Sequence, residues 1–161
     1  MISDIQLLFG LANRTRRYGL GKKIADPKII KLNEIFNHSI DGVDGAENYG
    51  WRKDDLIEIS KNQNKLFFTK IEVLPNKKLT IEQLIKKYHL KSKFPYLHGI
   101  YMHDLVINES LELYKKFFYF IKEKYNVKIG ISIYSQKDID LIEEKNIKLD
   151  ILQVPMNINC D

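Results

Sequence analysis

The chain has 161 residues, enough to bury a substantial core as one domain. Apolar residues make up 44% and charged residues 29%, an ordinary globular balance, and no apolar run approaches the ~18 residues that a membrane helix needs. The formal charge of +5 comes from Lys and Arg spread among acidic residues, with short clusters in residues 14–23 and at Lys77-Lys78, so a lysine-rich solvated surface is expected and no nucleic-acid face.

The opening MISDIQLLFG has an apolar run too short for a secretion signal and no small-residue cleavage site. The single cysteine, Cys160, excludes an internal disulfide and makes a reducing cytoplasm the expected compartment. It sits where a chain end frays and receives no role.

Apolar runs of strand length alternate with stretches of helical period. Strands are predicted over residues 7–11, 42–46, 66–71, 97–102, 128–134 and 151–155. Amphipathic helices are predicted over 28–39, 81–91, 109–125 and 136–145, with no more than a short helix over 54–61. Start signals keep the same register: Asp26-Pro27, a capping box of Thr80 with Gln83, and caps at Asn108 and Ser135. The unit is strand then helix, about thirty residues long, which implies a parallel sheet covered by helices. No linker or low-complexity tract divides it, so residues 1–161 read as one domain.

An open doubly wound sheet and a barrel both satisfy this alternation. The first strand–helix turn, GLANRTRRYGLG, lacks the G-x-G-x-x-G spacing of a dinucleotide loop and lowers the first option. No Walker loop, H-E-x-x-H or C-x-x-C pair is present, and no metal site is predicted.

In parallel α/β folds the reactive groups gather at the C-terminal ends of strands. Here those ends carry Asp44 and, five residues on, Tyr49 in VDGAENYG, then Lys70 in LFFTKIE and His103 in GIYMHD. Taken singly, each has an ordinary reading: a loop carboxylate, a packed tyrosine, a snorkelling lysine, a satisfied histidine. As a set they make chemical sense. An ammonium against a phenol stabilises the phenolate, a carboxylate holds the ammonium, and a histidine orients a carbonyl oxygen. What this proton-donating site lacks is a reductant, which a nicotinamide supplies. His38, His89 and His98 read as structural or surface groups.

These segments resemble the aldo-keto reductase family. VDGAENYG is similar to its F-D-T-A-x-x-Y-G, FFTK to its strand-end lysine motif, and YLHGIYMHD to the strand that ends in its histidine. GISIYS is similar to G-V-S, LQVPMN to V-Q-x-P-x-N, and FGLANRTRRYGL to an opening loop of one branch of the family. The resemblance implies a (β/α)8 TIM-barrel type of α/β fold, incomplete at about six βα units and stopping before strands seven and eight. It implies Asp44, Tyr49, Lys70 and His103 as catalytic tetrad, with Tyr49 the acid in reduction and the base in reverse. Ser132 and Gln153 would hold a nicotinamide carboxamide, and Gly10 would allow close cofactor approach. The sequence departs from the family pattern at Gly45 and Ile133.

The implied activity is NADP(H)- or NAD(H)-dependent reduction of an aldehyde, ketone or sugar carbonyl, with the cofactor binding first. An inactive barrel fragment acting as a binding or oligomerisation module is the alternative. Unpaired apolar edges on the first and sixth strands imply a homo-oligomer or a missing complementary barrel segment, and a partly wet inner sheet face. In an open flavodoxin-like sheet, by contrast, Asp44, Lys70 and His103 would stand too far apart to share one carbonyl. NADPH bound at the mouth is expected to quench the fluorescence of Trp51.

Overall fold

The computed structural model describes residues 6–12, 31–49, 53–72, 79–105 and 111–154. The predicted caps at Asp26-Pro27 and Asn108, and the residues Trp51 and Cys160, lie outside the described residues.

Six parallel strands pair in sequence order: β1 (Leu8–Gly10), β2 (Gly42–Ala46), β3 (Leu66–Ile71), β4 (Gly99–Met102), β5 (Lys128–Ser132) and β6 (Ile151–Gln153). The helices are α1 (Leu32–Phe36), α2 (Lys53–Lys61), α3 (Ile81–Lys87), α4 (Leu111–Tyr125) and α5 (Gln136–Glu144). β1, β4, β5 and β6 are shorter than predicted, whereas β2 and β3 have the predicted bounds. The segment expected to be at best a short helix forms α2, nine residues long and as long as α5. Its Ile59 is buried in the core, so packing holds it together. Conversely, α3 ends at Lys87, where His89 turns left-handed (φ 48°) and a short 3-10 turn, Leu90–Ser92, replaces the predicted last turn.

The two predicted helix caps that fall within the described residues, Thr80 and Ser135, both form. The Thr80 hydroxyl accepts from the Gln83 N–H at 3.2 Å, and Ser135 pairs with Asp138 in a second capping box.

Alternate strand residues take opposite faces. Val43, Phe67, Ile71, Ile100, Met102, Ile129 and Ile131 meet the helices in the main core, where Leu84, Tyr114, Phe117 and Ile121 cover them. Each such side chain contributes about 1.5–3 kcal/mol when fully buried. Asp44, Phe68, Lys70, Tyr101, Ser132 and Gln153 take the other face.

That inner face curls on itself. Gln153 Nε2, on β6, donates to Asp44 Oδ2, on β2, at 2.9 Å. In a flat sheet those strands would stand about 19 Å apart, four spacings of ~4.8 Å. Contact between inward residues of alternate strands is the layering of a closed (β/α)8 barrel. Phe68 and Tyr101 fill the space below, with ring centroids 5.7 Å apart. Two glycines make room for them: a Cβ on Gly99 would lie 2.6 Å from the Phe68 ring, and one on Gly130 2.6 Å from Tyr101 and 2.7 Å from the Ile151 carbonyl oxygen. Asp44, Phe68, Tyr101 and Ser132 are all buried, so this stretch of the inner face is drier than open edges would suggest. The margins remain apolar and open: Phe9 on β1 is 37% exposed and Leu152 on β6 49%. Among the described residues no helix is long and apolar enough to cross a membrane.

Candidate active site

At the C-terminal end of the sheet, Asp44 is the hub. Lys70 Nζ donates to its Oδ2 at 2.8 Å, alongside the Gln153 amide. The pairing follows from register, since Lys70 lies opposite Ala46 on the neighbouring strand and points to the same face as Asp44. Both side chains are only about a tenth exposed (Lys70 12%, Asp44 11%), so the pair is sheltered from the screening that weakens surface ion pairs. The second carboxylate oxygen, Oδ1, is buried with no hydrogen-bond partner among the described residues. Ser132 Oγ donates to Gln153 Oε1 at 2.8 Å, which completes a polar chain of Lys70, Asp44, Gln153 and Ser132.

Four of the sequence-predicted site residues are thus joined by hydrogen bonds. The other three are placed by the elements that flank these strand ends. Tyr49 ends a 3-10 turn, Glu47–Tyr49, that continues β2, and it is half-buried against the core. His103 follows β4, with its backbone N–H bonded to the Ile71 carbonyl at 2.9 Å, one residue past Lys70. Its Nδ1 lies 2.9 Å from Asp104 Oδ2, so the imidazole is oriented by its own neighbour. Gly10 lies opposite Asp44 in the β1–β2 pairing, and a Cβ there would meet nothing within 4 Å. His98, read as structural, accepts from the Phe67 N–H through Nδ1 at 3.2 Å.

Sequence reasoning missed two groups. Tyr101 reaches the inner face beside Asp44, where burial, reinforced by the Asp44 negative charge, raises its phenol well above the usual range. Its signal was available: it lies two residues before His103, hence on the same face. Lys93 is 2% exposed, and burial pushes its ammonium down to about 8. It had no signal, since it falls between the helix predicted over 81–91 and the strand predicted over 97–102.

Chemically the arrangement fixes an ammonium at a strand tip with a carboxylate, beside a tyrosine-bearing turn and a carboxylate-oriented imidazole. No group of three or more His, Cys, Asp or Glu residues placed to hold a metal occurs among the described residues.

No family model and no curated protein matches the chain. Among solved structures, an aldo/keto reductase from Brucella melitensis matches with a TM-score of 0.61 and 19% identity, over 94% of this chain. The chain spans 57% of that protein's length. Six parallel strands in sequence order, curled so that β2 and β6 touch, therefore form an incomplete (β/α) barrel with the fold seen in an aldo/keto reductase.

Proposed function

We propose that this chain supplies the proton-handling half of an NADP(H)-dependent carbonyl reductase of the aldo-keto reductase type, acting on an aldehyde, ketone or sugar. The Asp44–Lys70 ion pair on the inner face carries the reading. Asp44 takes one N–H of the ammonium and fixes the direction of the others. An ammonium so held lowers the cost of ionising a nearby phenol, and Tyr49 sits on the turn that continues the strand bearing Asp44. Tyr49 is then the proton donor to the carbonyl oxygen in reduction, and His103, oriented by Asp104, hydrogen-bonds that oxygen.

A reduced nicotinamide, when bound, supplies the hydride. Gln153 and Ser132 offer an amide N–H, an amide oxygen and a hydroxyl, which suits a primary carboxamide. Both are engaged with each other and with Asp44, so they hold such a group by exchanging those bonds. The open space at Gly10 gives a cofactor room beside Asp44. NAD(H) in place of NADP(H) fits the same residues.

The test is NADPH oxidation by the purified chain with a panel of aldehydes, ketones and sugars. Tyr49→Phe should abolish turnover and Lys70→Met should lower it about 100-fold, the usual scale for a lost acid–base group, while NADPH still quenches Trp51. Absence of both turnover and quenching in the unaltered chain sinks the reading.

The second reading is a non-catalytic module for binding or oligomerisation. It is favoured by the exposed Phe9 and Leu152 on the two marginal strands. Under it the open side is covered by a second copy or a complementary barrel segment, and Tyr49→Phe and Lys70→Met change stability alone. Mass measurement in solution, run beside the NADPH titration, separates self-association from a requirement for another segment.

A further inference from the structure

We propose that Lys93 and Tyr88 form a brace behind the candidate site that sets the separation of Tyr49 from Lys70. The inference rests on the roles given above to those two residues. Lys93 lies between α3 and β4, among the core residues Leu90, Phe94 and Leu97, and is almost wholly buried. A buried lysine is rare and costly unless paired. Its Nζ donates to the Glu47 carboxylate and, at 3.1 Å, to the Tyr88 carbonyl. Glu47 begins the 3-10 turn whose last residue is Tyr49.

Tyr88, the C-cap of α3, reaches in another direction. Its hydroxyl donates to the Glu72 carbonyl, two residues past Lys70, and the Tyr114 hydroxyl donates to the same oxygen at 3.0 Å. Burial raises the Tyr88 phenol far above its ordinary value, so it stays a donor at any physiological pH. One route therefore runs from the turn that carries Tyr49, through Glu47, Lys93 and Tyr88, to the strand that carries Lys70, without crossing the sheet. The sheet fixes Asp44 against Lys70 directly, whereas Tyr49 lies on the turn past the paired part of β2, which Glu47 ties to Lys93.

Stability alone is a poor account of this pair. Replacing a buried ion pair by apolar groups of similar size is often neutral or stabilising. What the pair contributes on this reading is the fixed span of Glu47, Lys93 and Tyr88, and a displacement of 1 Å at a reacting group costs about 100-fold in rate.

The experiment compares Lys93→Met, which leaves Glu47 unpaired, with the double variant Lys93→Met/Glu47→Leu, which removes both charges. Lys93→Met should lower the melting temperature, and the double variant should regain most of it. In both, kcat for carbonyl reduction should fall about tenfold or more, with KM and NADPH affinity held within about twofold. Tyr88→Phe, which deletes one hydroxyl, should lower kcat in the same sense. If the double variant regains kcat together with its melting temperature, the pair is structural only and the brace is refuted.

A second readout needs no turnover. With ring-13C-labelled tyrosine, the Tyr49 resonance should shift in the double variant while that of Tyr119, whose hydroxyl accepts from the Lys148 N–H, stays in place. An unmoved Tyr49 resonance overturns the brace. If no carbonyl is reduced but Tyr49 moves, the reductase reading fails and the mechanical link stands.

Discussion

The hydrogen bond between Gln153 and Asp44 makes the curl of the sheet measurable in solution. Gln153→Leu removes the donor to Asp44 Oδ2 and the acceptor of the Ser132 hydroxyl. A hydrogen bond to a charged group contributes about 1.5–3 kcal/mol, and here it is sheltered, with the Asp44 side chain 11% exposed. Paired with Asp44→Ala in a double-mutant cycle, it should give a coupling of about 1–2 kcal/mol. Urea unfolding of the four proteins, followed by circular dichroism, reads that value. For a chain of this size 1 kcal/mol is also about 2–4 °C in Tm. The same cycle on Ser132→Ala with Gln153→Leu is the control, because β5 and β6 are adjacent and should couple whether the sheet is curled or flat. If Asp44 and Gln153 add within about 0.3–0.5 kcal/mol while the control pair couples, the two strands do not meet, and the barrel reading with its shared site is wrong.

Three further outcomes follow from the packing and the charges. Gly130→Ala sets a methyl against the Tyr101 ring and the Ile151 carbonyl, and should destabilise by about 1–3 kcal/mol, outweighing the ~0.4–1 kcal/mol gained from a stiffer unfolded chain; calorimetry showing a raised Tm would refute the tight inner packing. Gly10→Ala meets open space, so Tm should hold or rise slightly while NADPH binds more weakly in a fluorescence titration; unchanged binding would separate Gly10 from the cofactor. Asp138 is held below its ordinary carboxyl value of 3.8, chiefly by the Tyr134 N–H, with help from Ser135. A carboxyl with a depressed folded value stabilises above 3.8 and loses that contribution as pH falls through the folded value. Asp138→Ala should therefore lower Tm at neutral pH and match the unaltered chain in strong acid, as pH-dependent melts would report.

The strand–helix alternation was legible because it is local: apolar runs and the capping box at Thr80 declare themselves within a few residues. The strand ends were less so, since β6 keeps three residues of a longer apolar run, where pairing on one side stops. The polar set at the strand tips could be read because Asp44 and Lys70 each follow an apolar run on neighbouring strands. The bond of Asp44 to Gln153 joins residues 109 apart, and no periodicity carries that. Nor does any pattern distinguish Lys93 from the exposed Lys91 two residues earlier; the Glu47 carboxylate and the Tyr88 carbonyl that meet it are brought there by folding.

The open margin of the sheet places Gln153 in an unusual position. It contributes to the central polar chain, yet it belongs to the strand with a single neighbour and an outer face in water. Marginal strands open locally at far less cost than central ones. Amide exchange should therefore be fastest along β1 and β6 and slowest in β3 and β4. Each excursion of β6 would take one of two donors from the Asp44 oxygen, leaving Lys70, and release the Ser132 hydroxyl, so fraying at the rim would open this polar centre.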